Sequence, residues 1–113
     1  MDTIKALTDA ELVEAVAREV LEITKLGSDF EGDDYYQFKD AVGYFDPFTD
    51  MNDLQMVKDK LREMGFWADI KISPGEKVKI KLHKNGTIKA DSWADNEPRA
   101  WLEAALAAER GKP

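Results

Sequence analysis

The sequence predicts an α+β protein in which a three-stranded antiparallel sheet is flanked by three helices, sandwich-like. Three observations lead there. Apolar residues recur at helical spacing near both ends and in the middle, the period changes to strict alternation after Gly65, and turn residues punctuate that alternating stretch twice. At 113 residues, with 43% hydrophobic and 35% charged, the chain reads as one globular domain over 1–113.

The first helix is expected over residues 8–26. Thr8 and Glu11 have capping-box spacing, Leu12, Val13, Val16, Ala17, Val20 and Ile23 make an apolar side, and Gly27 ends it. Residues 28–48 carry seven aromatic side chains without a sustained period, so they are expected as an ordered acidic and aromatic loop. Within it Tyr35 to Phe38 suits a short edge strand, and Asp46-Pro47 reads as a turn into the next helix. That second helix has both ends marked, by Thr49 and Asp50 as cap residues and by Gly65 as the stop. Met51, Leu54, Val57, Leu61 and Met64 form its narrow apolar stripe.

Phe66, Ala68, Ile70 and Ile72 then alternate with Trp67, Asp69, Lys71 and Ser73, and Val78, Ile80 and Leu82 alternate with Lys77, Lys79, Lys81 and His83. Two antiparallel strands joined at Pro74-Gly75 follow from this. The next turn holds Asn85-Gly86, the pair favoured in two-residue hairpin loops. A two-residue loop would put Leu82 opposite Lys89 and mix the faces. The sequence therefore favours a three-residue loop, Lys84 to Gly86, pairing Leu82 with Ile88 and Ile80 with Ala90. The last helix starts at Asp95 or Asn96, tolerates Pro98 in its first turn, and buries Trp101, Leu102, Ala105 and Ala108 before a frayed tail at Gly111-Lys112-Pro113. The expected order is helix, loop, helix, strand, strand, strand, helix.

Charge is distributed unevenly. Eight acidic residues between Asp29 and Asp53 face Lys39 alone, which accounts for the whole net charge of −7, while six lysines cluster in the alternating segment. Net acidity disfavours general nucleic-acid binding, whose affinity comes from neutralising phosphates. With no cysteine, the chain offers neither disulfides nor thiolate metal sites. No apolar run reaches membrane-span length and the N-terminus lacks signal-peptide order, so a cytoplasmic location with no membrane partner is expected.

The turn FDPFTDMNDL leading through VKDKLREMGF, the strand pair after it, and the ending ADSWADNEPRAWLEAALAA resemble the phage ABA-sandwich domain family, small proteins of bacteriophages and prophages. The resemblance covers most of residues 8–108 but not 28–43. It implies a sheet flanked by helices and a phage origin, and it brings no catalytic residues.

Two surfaces are candidates for function. Asp29, Glu31, Asp33, Asp34, Asp40 and Asp46 make the acidic loop a partner-binding candidate, since clustered carboxylates can occupy a basic groove by imitating phosphates. A calcium loop does not fit them, because Gly32 falls fourth and Asp40 twelfth where glycine at six and glutamate at twelve are needed. Trp67 and Trp93 fall out of phase with the apolar strand face. They belong either to a second core layer or, if one sheet face is open, to an aromatic and basic surface with Lys77, Lys79, Lys81 and His83. His83, the only histidine, has no neighbouring carboxylate or nucleophile in sequence to make it an acid–base residue. The expected function is a non-catalytic phage accessory protein binding a protein partner, with inhibition of a host enzyme or defence system through the acidic loop as its sharpest form. The alternative is a small-ligand, nucleotide-like binder using the tryptophan and lysine face. No cofactor is expected, and a homodimer through a sheet edge or face is a further expectation.

Overall fold

The computed structural model describes residues 4–111. Thr8 caps the first helix, α1 (Asp9–Glu19): its hydroxyl accepts from the Glu11 N–H at 3.1 Å while Glu11 Oε1 accepts from the Thr8 N–H at 2.9 Å. The expected extension of this helix to residue 26 is wrong. Glu22 turns left-handed at φ 58°, the Leu21 N–H bonds back to Val16 O and the Ile23 N–H to Ala17 O, and the chain leaves the helix there. Polar residues at helical spacing continue past this point, which is why the sequence pattern overruns. Spacing on a solvated face constrains the backbone far less than the buried Leu12, Val16, Ala17 and Val20 do.

The chain then makes a small meander, β1 (Thr24–Ser28), β2 (Asp34–Gln37) and β3 (Val42–Tyr44), with β2 central and both pairs antiparallel. The expected loop over 28–48 is thus largely a second sheet, and Asp34–Gln37 is its middle strand rather than an edge. Its signal in sequence is faint because the strands are short and mostly exposed, leaving no run of alternation. Tyr36 is the one residue of β1–β3 driven fully into the core, where it meets Phe45 edge-on with centroids 6.0 Å apart. Gly27 does not end a helix. It lies in β1 beside a bulge, where a Cβ would come within 3.1 Å of the Tyr35 hydroxyl.

Asp50 caps the second helix, α2 (Met51–Glu63), accepting from the Asn52 N–H at 2.8 Å, and Gly65 stops it at φ 95°. Leu54, Val57 and Leu61 are buried as the stripe predicts, whereas Met51 is exposed. A second meander follows: β4 (Trp67–Lys71), β5 (Val78–Lys84) and β6 (Thr87–Ala94), with β5 central.

The expected hairpin register is overturned. His83 faces Ile88 and Lys84 faces Thr87, so the loop is the two-residue Asn85-Gly86 turn with both residues at positive φ, 54° and 76°. The conflict of faces is resolved farther along, where the register shifts at Leu82/His83 so that Leu82 meets Ala90 and Lys89 is the extra residue of a bulge. A bulge and a longer loop both restore the phase, and the ease of the Asn-Gly turn decides for the bulge.

The last helix, α3 (Glu97–Arg110), is capped by Asn96, whose side chain accepts from the Arg99 N–H at 2.9 Å. Seven of its apolar residues and Glu103 are buried, because α3 packs against β5 and β6 on one side and against α1 and α2 on others. Alanines at 100, 104, 105 and 108 permit those close approaches. The observed order is helix, three strands, helix, three strands, helix: an α+β fold with two three-stranded antiparallel sheets where one was expected. Of the expected tail, Lys112 and Pro113 lie outside the described residues.

Candidate functional site

The start of α1, the β1–β2 turn, β2, β3 and the start of α2 enclose an open cleft of about 670 Å³. Its floor is aromatic, from Tyr36, Tyr44, Phe45 and Phe48, and its rim carries Asp9, Asp33, Asp34, Asp46, Asp50 and Asp53 with no lysine or arginine among the lining residues. Two helix N-termini open onto it, and their partial positive charge, together with Lys25 beside Asp34 and Arg99 beside Asp9, offsets the gathered carboxylates.

Local structure fixes these carboxylates. Asp46 accepts from the Phe48 N–H at 3.2 Å and from the Thr49 hydroxyl at 2.8 Å, which holds the Pro47 turn, and its own N–H donates to Asp53 Oδ2 at 2.8 Å. Burial, then the charges of Asp50 and Asp46, push the Asp53 carboxyl above its ordinary value despite that hydrogen bond, which acts in the opposite sense. Asp34 is held below its ordinary value by the Ser28 hydroxyl and by Lys25, whose Nζ lies 3.3 Å from Oδ2. Burial, with Asp34 and Glu14 nearby, raises the Tyr36 hydroxyl to about 12.

The structure brings together Asp33, Asp34 and Asp46 of the predicted acidic set and places the rest elsewhere. Asp29 is a turn residue, accepting from the Glu31 and Asp33 N–H groups, both at 2.9 Å, and from the Tyr44 hydroxyl at 3.0 Å. Those bonds lower its carboxyl, the one from Asp33 most. Glu31 lies in the same turn and Asp40 in the β2–β3 connection, both exposed and off the cleft. Sequence reasoning missed Asp9 as a site residue, and it counted Asp50 and Asp53 in the acidic stretch but read them first as helix-start residues. The available signal was the common feature of all three, a carboxylate in the first turn of a helix or at its cap.

The second candidate surface is the outer face of the β4–β5–β6 sheet. This face is open: Trp67 and Trp93 are 55% and 47% exposed, and Lys79 and Lys81 lie exposed between them. Trp67 stacks on His83 with centroids 4.2 Å apart and planes 11° from parallel. The carboxylate that His83 lacks nearby in sequence arrives from β4, with Asp69 Oδ2 2.9 Å from Nε2, though without the alignment of a hydrogen bond. Trp93 carries Lys5 Nζ 4.5 Å above its ring, and Lys77 pairs with Asp95 at 2.7 Å. Trp67 sits opposite His83 and Trp93 opposite Lys79, on strands two apart. Strand geometry then separates them by roughly 13 Å along the sheet and roughly 10 Å across it. They occupy opposite corners and do not close on one planar ligand.

Behind this sheet Glu103, 3% exposed, is paired with Lys5 at 2.7 Å and with Arg99 Nε at 2.7 Å, and it accepts from the Ser92 hydroxyl at 3.2 Å. Arg99 also donates to Asp9 at 2.7 Å and to Leu7 O at 2.7 Å, so one guanidinium ties the N-terminal segment to α3. This network is satisfied within the chain and is structural.

Among the described residues no group of three or more His, Asp or Glu is disposed to hold a metal ion, and no helix is long and apolar enough to cross a membrane. These features define an α+β protein with an acidic, aromatic-floored cleft between its smaller sheet and two helix N-termini. Comparison with protein-family models, with curated proteins and with solved structures finds no match to the chain.

Proposed function

We propose that the chain is a non-catalytic binding protein whose acidic cleft receives a basic segment of a protein partner. The observation that carries this is the composition of the cleft, six aspartates around four aromatic rings, of which Asp9 is paired with Arg99 and Asp34 with Lys25 from outside the lining. An arginine or lysine side chain entering there meets carboxylates at the rim and the accessible rings of Tyr44 and Phe48 below, the two kinds of group that attract a desolvated cation. The resemblance to the phage ABA-sandwich domain adds a phage origin and makes a projecting basic segment of a host nucleic-acid enzyme or defence component the partner of choice. The open tryptophan and lysine face supports the small-ligand alternative less well, since its two indoles stand at opposite corners.

The test uses two charge-matched variants. D33N/D46N/D50N removes three charges from the cleft while keeping side chains that cap and turn as aspartate does. D29N/E31Q/D40N removes three charges outside it. Titration with an arginine-rich peptide at low and moderate salt should show binding to the wild type and to the outer variant, and about tenfold or greater weakening in the cleft variant. Affinity capture from a bacterial lysate with the same three proteins then identifies the partner as what the cleft variant alone fails to retain. Equal loss in both variants would reduce the interaction to net charge and sink the proposal.

A further inference from the structure

The free edge of β4 is independent of the cleft and goes beyond that reading. β4 is an outer strand of its sheet and packs extensively only with β5 among the described elements. Its pairing with β5 runs unbroken from Trp67 to Lys71, without a bulge, and no proline lies within it. A bulge and a proline, two of the devices that blunt an edge, are therefore missing, and the charges the strand carries, Asp69 and Lys71, are of opposite sign. The inward positions near its end are also uncovered, with Ile70 45% and Ile72 62% exposed. A strand of this kind is a template for another strand.

We propose that β4 pairs antiparallel with β4 of a second copy about a two-fold axis at Ile70, joining two three-stranded sheets into one of six strands. The argument is the self-complementarity of the segment in that one register. With Ile70 opposite itself, Asp69 meets the second copy's Lys71, Ala68 meets its Ile72 and Trp67 meets its Ser73, each pair occurring twice. Both apolar pairs fall on the inner face, where the exposed isoleucines are, and both ion pairs fall on the outer face. Moving the axis to Asp69 sets Asp69 against Asp69 and Trp67 against Lys71. Moving it to Lys71 sets Lys71 against Lys71. An axis between residues places outward side chains opposite inward ones, which a continuous sheet does not allow. Among these registers charge and burial select the one centred on Ile70, and its partner is this chain. None of the residues involved lines the acidic cleft, so each dimer presents two clefts.

Sedimentation equilibrium over a concentration series tests this. The wild type should move from the 12.8 kDa monomer towards twice that mass as concentration rises. I70K sets two lysines on the axis and should remain monomeric. K71D opposes two carboxylates and D69K two ammonium groups, twice each, so either single change should weaken association by about tenfold or more. The double exchange D69K/K71D restores opposite charges and should recover the dimer. The three positions are exposed, and circular dichroism confirms that each variant keeps its fold. A wild type that stays monomeric, a dimer that survives I70K, or a double exchange that recovers nothing would overturn the proposal.

Discussion

Replacing Glu103 by alanine should destabilise the protein by about 3 kcal/mol, the low end of what breaking a buried ion pair costs. The structure sets that position in the range. Glu103 is 3% exposed, and its carboxylate is shared by Lys5, Arg99 and the Ser92 hydroxyl. Its removal leaves the Arg99 Nε and the Ser92 hydroxyl facing a dry interior. Arg99 keeps Asp9 and Leu7 O, so its charge is not wholly abandoned, and Lys5 is open enough to turn towards water. E103Q keeps the shape and an acceptor for Ser92 but presents a neutral amide to two cations, a loss of about 1.5–3 kcal/mol. Domains of this kind hold about 5–15 kcal/mol in all, so E103A consumes a large part, and its melting temperature should fall by roughly 10–20 °C. Urea titration followed by fluorescence of the buried Trp101 and by circular dichroism gives the midpoints, and a cycle with R99K isolates the Arg99 share. An E103A protein within about 0.5 kcal/mol of wild type would show that the network adds no net stability, refuting the reasoning.

Three further outcomes follow from the geometry. Asp53 has a raised carboxyl pKa, so its contribution to stability is complete below the unfolded-state value and is lost as pH rises through the folded-state one; D53N should gain on wild type between acidic and neutral pH in paired melting curves. Asp29 and Asp34 are shifted the other way, and their contribution is present above the unfolded-state value and lost as pH falls through the depressed one; amide exchange in acid should show β1–β3 opening before α3. Glu22 occupies a left-handed conformation that costs an ordinary residue about 1–2 kcal/mol, so E22G should stabilise by roughly 0.5–1 kcal/mol after the extra chain entropy of glycine, and a loss measured by urea titration would contradict this.

The elements whose signal is local were legible in the amino-acid sequence alone: the Thr8–Glu11 box, α2 between its Thr49-Asp50 cap pair and Gly65, the alternating strands after it, and a cap at Asp95 or Asn96 ahead of α3, which the structure narrows to Asn96. In each, neighbouring residues satisfy the backbone or form one apolar face, so a short window contains the cause. Tertiary structure alone decided the rest. Strands β1 to β3 are three to five residues long, and only Tyr36 is fully buried, so pairing rather than pattern makes them a sheet. The Lys89 bulge followed from competition between a favourable turn and a favourable face, which local preference at either place does not resolve. The cleft was legible only in part for the same reason. Asp33, Asp34 and Asp46 stand out as a charge run, but Asp9 is distant in sequence and joins them only because α1 and α2 begin at the same place. Long-range packing decides which carboxylates share a cleft, and charge runs along the chain do not encode it.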